Sequence, residues 1–297
     1  MVFIFGLVIG AMGVLGWGKY KEPKIVEVKK EYPLLKYTIE NLGKRSYDSQ
    51  IILDDEVKKG VHKFHFDSDG KRVNGLAHIP EECGKCPVIA QFRGYAEVDG
   101  YESGYGTTHS AEVFAKAGFI SLAPDFLGYG GSASPSADVF EARFETYTTA
   151  LNLLAGIEKW DKTKSIGIWG HSNGGQIALT VLEVKNYPAV LWAPVSAPFP
   201  YSILYYTGDG DKLLRRELAK FEEDYDTDLY SLTKYLDRIE SPVLVQQGTA
   251  DEQVPYKWNR KLGERFEYIE YPEADHNLVP SWSEAVKEDI EFYKKHW

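Results

Sequence analysis

The sequence predicts an α/β fold, with a mostly parallel central sheet flanked by helices. Three observations lead there. From residue 87 onward, short apolar runs alternate with longer amphipathic stretches, the pattern of strands joined by crossover helices. Just before that point, two strand-like runs flank the turn Asp-Ser-Asp-Gly. The chain has 297 residues, enough for one large α/β domain once a short apolar N-terminus is set aside.

The elements follow in order. VHKFHFD (61–67) and VNGLAHI (73–79) form a strand pair, with antiparallel pairing expected from the tight turn. His62 and His65 lie three apart, so they face opposite sides of their strand and do not share a metal. Strands are then expected at 87–92, 119–123, 165–169, 188–194, 242–247 and 266–271. Helices are expected near 107–117, 138–160, 173–185, 256–264 and 281–296. Residues 198–238 break the alternation with a Tyr-rich stretch, a charged helix and the acidic run Phe-Glu-Glu-Asp-Tyr-Asp-Thr-Asp. This insertion, about 198–238, is expected to form a small cap, and its acidic run reads as a solvated helix end.

The N-terminus is of a different kind. Residues 1–18 carry no charged side chain. As a helix they would span about 27 Å, close to the hydrocarbon thickness of a bilayer. No basic segment precedes the run, so it reads as an uncleaved membrane anchor rather than a signal peptide. The side of the membrane is left open. Residues 19–60 read as a charged, partly helical juxtamembrane segment, with the catalytic domain at 61–297.

Composition narrows the functions available. The net charge of −10 repels phosphate backbones and argues against nucleic-acid binding. Cys83 and Cys86 are the only cysteines, half of a four-cysteine zinc site at best. A redox Cys-x-x-Cys opens a helix, whereas here Pro87 and a strand follow. The pair reads as a loop feature that is disulfide-bonded in an oxidising compartment.

Chemistry enters at Ser172. Ser-Ile-Gly-Ile-Trp-Gly-His-Ser-Asn-Gly-Gly-Gln runs from strand through Gly-x-Ser-x-Gly into helix. With 27 glycines and 17 serines in the chain, chance alone would place about 0.14 such motifs, so the spacing needs its strand–helix context to carry weight. The chain must turn sharply with Ser172 at the apex, and Gly170 and Gly174 remove side chains that would collide there. The turn also brings the backbone N–H of Asn173 to a helix N-terminus, where an oxyanion can be held. This is the nucleophile elbow of an α/β-hydrolase fold, whose chain order is Ser, then Asp or Glu, then His.

That order permits elimination. Only His276 and His296 follow Ser172, and His296 stands next to the last residue, in a terminal helix. His276 lies in the loop after the last strand, where a base can reach the serine. Among the intervening acids, Asp251 alone follows a buried strand directly; Asp275 is adjacent to His276 and poorly placed to orient its ring. Ser172, His276 and Asp251 are therefore the expected triad. His109 falls in a loop near the cleft and reads as an ordinary polar residue.

Three stretches resemble the catalytic domain of the prolyl oligopeptidase family: Gly-His-Ser-Asn-Gly-Gly (170–175), Ala-Pro-Asp-Phe-Leu-Gly-Tyr-Gly-Gly-Ser (123–132) and Pro-Val-Leu-Val-Gln-Gln-Gly-Thr-Ala-Asp-Glu-Gln-Val-Pro (242–255). The resemblance covers roughly residues 70–297. It implies the same triad, a second oxyanion donor in the loop after strand 87–92, and small peptides as substrates. The sequence departs from the family in that loop. Many relatives have His-Gly-Gly or Tyr-x-Gly there, whereas this chain has Arg93-Gly94-Tyr95, which makes the backbone N–H of Tyr95 the second donor. Arg93 either grips a substrate carboxylate or pairs with an acid such as Asp99 or Asp125. A second departure concerns size. The oligopeptidases carry a β-propeller, and the roughly forty residues between anchor and hydrolase are too few for one.

The sequence thus predicts a serine hydrolase acting through an acyl-enzyme, with no metal or organic cofactor implied. Short peptides lead as substrates, and a carboxylic ester is the alternative. A catalytically dead, membrane-tethered binding protein is the reading from another class, and an intact triad argues against it. Tyr201, Tyr205 and Tyr206 of the cap are expected to line the substrate pocket.

Overall fold

The computed structural model describes residues 30–207 and 211–297. Pro33–Trp297 form one compact unit. A 3₁₀ turn at Pro33–Tyr37 leads into α1 (Ile39–Lys44), followed by strands β1 (Ile52–Lys58), β2 (Val61–Ser68), β3 (Lys71–His78) and β4 (Cys86–Phe92). Next come α2 (Thr108–Lys116), β5 (Ile120–Pro124), α3 (Val139–Lys159), β6 (Thr163–His171), α4 (Asn173–Leu182) and β7 (Ala189–Trp192). After α5 (Tyr201–Leu204) and α6 (Lys212–Asp224) the chain completes β8 (Val243–Gly248), α7 (Tyr256–Arg260), β9 (Glu267–Tyr271) and α8 (Trp282–His296).

The strands form one sheet in the order β1-β2-β3-β5-β4-β6-β7-β8-β9. The first three pair antiparallel, β3 meets β5 antiparallel, and every pairing from β5 to β9 is parallel. Both faces of the parallel part are covered, so β4, β5, β7 and β8 read as apolar runs buried along almost their whole length. Strand order reverses at β4, which has β5 on one side and β6 on the other. Open α/β sheets bind ligands beyond the carboxyl ends of the strands at such a reversal.

Two apolar cores flank the sheet. One gathers α1, α3 and α4 with Phe199, Phe221 and Tyr230 of the segment between β7 and β8. The other packs Phe114 of α2 and Phe292 and Tyr293 of α8 against Trp169 and Trp192. In the second core the Asp289 carboxylate accepts hydrogen bonds from the indole N–H groups of Trp169 (3.2 Å) and Trp192 (3.0 Å). Burial pushes that carboxyl up to about 8 against these bonds.

The structure corrects the expected domain boundary at residue 61. Residues 52–58, placed in a partly helical juxtamembrane segment, are strand β1, paired with β2 through Ile52↔His65 and Leu53↔Phe64. It is an edge strand, and its charged, largely exposed side chains (Asp55, Glu56, Lys58) hide the alternation that marks a half-buried strand. Leu34, Tyr37, Ile39 and Leu42 are buried, so this stretch belongs to the catalytic body. The helix expected at 256–264 is α7 followed by a 3₁₀ turn at Lys261–Glu264. The apolar anchor expected at residues 1–18 lies outside the described residues; among those described, no helix is long and apolar enough to cross a membrane. Cys83 and Cys86 are joined by a disulfide.

Candidate active site

Four loops at the carboxyl ends of β4, β6, β8 and β9 converge on one cavity of about 390 Å³, whose lining includes Gly94, His171, Ser172, Gln253, His276 and Asn277. Ser172 stands between the last residue of β6 and the first of α4 with φ 56° and ψ −118°. A non-glycine residue in this region is strained. The strain is held by backbone bonds on both sides: the Ser172 N–H donates to the Trp192 carbonyl (2.9 Å), and its own carbonyl accepts from Val195 (3.0 Å). The turn needs its glycines. A methyl group at Gly174 would overlap the Phe92 carbonyl, so only a bare Cα lets the first turn of α4 sit against the end of β4. Gly94 in turn passes so close that a methyl there would come within 3.1 Å of the Ser172 Cβ. As the first residue of α4, Asn173 has an N–H with no intrahelical acceptor.

His276 and Asp251 meet beside this serine. His276 Nδ1–H donates to Asp251 Oδ2 at 2.8 Å, with the ring almost buried and the carboxylate side chain fully so. Asp251 Oδ1 accepts from the backbone N–H groups of Gln253 and Val254, both at 2.8 Å. Burial pushes the Asp251 carboxyl up, but the His276 hydrogen bond and these N–H groups outweigh it and hold it below the usual aspartate value. Asp251 is thus ionised at neutral pH and can orient an imidazole and stabilise its protonated form.

Several positioning groups escaped sequence reasoning. Gln247 Nε2–H donates to Asp251 Oδ2 (3.0 Å), Asn259 donates to Gln247 Oε1 (2.7 Å), and Ser196 donates to Asn259 (2.6 Å), all buried. The available signal was the glutamine pair inside the apolar strand PVLVQQG, since buried polar side chains need partners. His171 Nε2–H donates to the backbone carbonyl of His276 (3.0 Å), with the two rings 4.7 Å apart. Burial and the neighbouring His276 push the His171 imidazole down to about 4, so it is neutral and can fix the loop that carries His276.

The remaining expected residues divide. Tyr95 borders the cavity and its side chain is 70% exposed. Arg93 is buried and spent largely on the protein: it donates to the Tyr101 hydroxyl (3.3 Å) and to the carbonyls of Gly94 (2.9 Å) and Asp125 (3.0 Å), and lies over the rings of Tyr101 and Tyr129. Of its two expected roles, the structure favours association with Asp125, made through the backbone carbonyl and the shared Tyr101 hydroxyl. Tyr201, Tyr205 and Tyr206 do not line this cavity or the neighbouring apolar one described below. They gather around Trp258, with ring centroids 5.9, 4.7 and 6.4 Å away, because the half-buried indole offers them an apolar face. His109 is on α2 rather than in a loop and packs against Trp282, 4.0 Å between ring centroids.

A second cavity, of about 450 Å³, adjoins the first through Arg93 and Tyr95 and has Asn173 in its wall. Phe126, Leu127, Phe140, Ile177, Ile203 and Leu214 make it apolar. A polar cavity around the Ser172 hydroxyl and an apolar one beside Asn173 can together hold an acyl group at its carbonyl and along its chain.

Comparison with known proteins agrees with this architecture. Residues 105–297 match the prolyl oligopeptidase family. The human protein ABHD12B is 25% identical over 236 residues, 71% of this chain and 61% of its own length. The uncharacterized peptidase YtmA of Bacillus subtilis (strain 168) is 27% identical over 214 residues, covering 69% of this chain and 79% of YtmA. Among solved structures, ferulic-acid-bound Est1E from Butyrivibrio proteoclasticus superimposes with a TM-score of 0.61 at 18% identity, covering 77% of this chain and 97% of Est1E. Acetyl xylan esterase 1 from Thermoanaerobacterium sp. JW/SL YS485 does so with 0.60 at 15% identity, covering 88% and 93%. These structural likenesses show the α/β-hydrolase fold, and the family match over residues 105–297 shows this chain to be a serine hydrolase that belongs to the prolyl oligopeptidase family.

Proposed function

We propose that the protein hydrolyses small acyl substrates through an acyl-enzyme on Ser172. His276 takes the serine proton and returns it to the leaving group, while Asp251 holds the imidazole and stabilises its charge. The backbone N–H groups of Asn173 and Tyr95 receive the oxyanion. The observation that carries this reading is the His276–Asp251 hydrogen bond at 2.8 Å beside a serine held at positive φ. Short peptides are the leading substrate class, supported by the family and by the similarity to a peptidase of Bacillus subtilis. A carboxylic ester is the second reading, favoured by the apolar cavity next to Asn173, which suits an apolar acyl chain. The uncharged run 1–18 supports tethering of the enzyme to a membrane.

The test is turnover of a matched pair: one acyl group presented as a p-nitrophenyl ester and as a peptide anilide. Both should be hydrolysed, the ester faster because its leaving group departs more easily. An anilide that is never cleaved while the ester turns over assigns the protein to esterase chemistry. Absence of both activities contradicts the hydrolase mechanism.

A further inference from the structure

Two arginines border the apolar cavity, and their charges are treated differently. Arg93 has its three acceptors, three aromatic faces and the buried Asp125 carboxylate nearby as counter-charge. Arg143, on the second turn of α3, has one hydrogen bond, from Nη2–H to Gln176 Oε1. Its Nε is buried with no acceptor. No carboxylate among the described residues pairs with it. The acids nearest in sequence are already engaged: Glu141 with Lys36 and Ser136, and Glu145 with Lys71 and the Ser136 N–H. Gln176, the one acceptor Arg143 has, is buried and also donates to Ser202 (3.3 Å), so it is fixed in place.

Arg143 is half-buried, and with one hydrogen bond, a buried Nε that lacks an acceptor and no paired carboxylate, its guanidinium is open to a negative charge that enters the cavity. Everything else about the cavity fits the rest of a molecule carrying that charge. Phe126, Leu127, Phe140 and Ile177 would hold an apolar chain, and Asn173, which also lines the cavity, adjoins Ser172 in the chain. We infer that Arg143 anchors a carboxylate at the end of an apolar acyl chain, so that the preferred substrates are esters or amides of dicarboxylic acids. This rests on Ser172 being the nucleophile, because that fixes where the scissile carbonyl lies.

Binding separates the two claims, since it needs no turnover. In the full chain carrying Ser172→Ala, calorimetric titration with octanoate and with octanamide compares a carboxylate with its neutral counterpart. Octanoate should bind about tenfold more tightly, a difference of about 1.4 kcal/mol. Arg143→Met should bring the two ligands to within about twofold, while Arg143→Lys keeps part of the preference. A melting curve checks that the Met variant folds; Arg143→Gln, which retains a polar head, takes its place if it does not. Equal binding of the two ligands overturns the inference, as does a preference that survives loss of the guanidinium. In the parent enzyme, the p-nitrophenyl hemiester of suberic acid should exceed p-nitrophenyl octanoate in kcat/KM, and Arg143→Met should erase that advantage. Failure of both esters with the binding pattern intact would count against the nucleophile and leave the anchor standing.

Discussion

The strand ends around Ser172 and the segment between β7 and β8 hold their side chains by different means. At the strand ends, backbone fixes backbone. Gly174 lets α4 touch the end of β4, and Gly248 lets the end of β8 lie against the Ala274 and Asp275 carbonyls, where any side chain would collide. Asp251 then receives two backbone N–H groups, a glutamine and a histidine. In the inserted segment, rings rest on rings: Tyr201, Tyr205 and Tyr206 around Trp258, and Phe199, Phe221 and Tyr230 against Phe140 and Phe144. Backbone approach tolerates no change of spacing. Ring clusters admit many arrangements of similar energy. Chemistry is expected to depend on the first region, and the ring clusters are expected to tolerate substitution.

That contrast is broken or sharpened by substitution. The largest effect belongs to Ser172→Ala, which should lower turnover by about 10⁶ with the melting temperature kept, measured in steady state on an activated ester. Asp251→Asn follows, with a loss of about 10⁴, because an amide turns the histidine to the wrong tautomer. If Glu252→Gln or Asp275→Asn costs more than Asp251→Asn, the backbone-fixed acid has been misassigned.

His171 gives a smaller effect that reads out in stability. Its folded pKa, about 4, lies below the roughly 6.5 of an unfolded histidine, so the unfolded chain binds the proton first. Its contribution is complete above pH 6.5 and is lost as pH falls toward 4, by about 3 kcal/mol at most. His171→Gln should therefore flatten the fall in melting temperature between pH 7 and pH 5. Asp289, with its carboxyl pushed up to about 8, acts with the opposite sign in parent and variant alike and cancels in the difference. An unchanged pH slope in the variant would remove His171 from the account. The smallest effect is expected from the ring clusters. Replacing Tyr201, Tyr205 and Tyr206 together by alanine should change KM for apolar esters by no more than a few-fold, since none of the three lines the two cavities beside Ser172. A tenfold rise would mean that the cluster reaches the substrate after all.

The same contrast explains what the sequence made legible. The parallel sheet, the elbow at Ser172 and the choice of His276 and Asp251 follow from spacing and chain order, because a sharp strand–helix turn admits few residue patterns. Strand β1 was missed because its charged face is the edge of the sheet. Gln247, Asn259 and His171 were missed because their partners are distant in the chain, and only the folded loops bring them together. The three tyrosines are expected in a pocket from their place in the cap and their aromatic rings, but all three are exposed and pack on Trp258, a partner distant in the chain. Arg143 carries no signal of its own in the sequence, because only the fold shows that its neighbours Glu141 and Glu145 are paired elsewhere.

The central claim is that the strained serine at the end of β6 is the nucleophile. The most direct measurement treats the protein with a fluorophosphonate and locates the adduct by peptide mass spectrometry. A single phosphonyl group on Ser172, absent from the Ser172→Ala variant, is the predicted result. Labelling of another residue, or undiminished labelling of the variant, would contradict it.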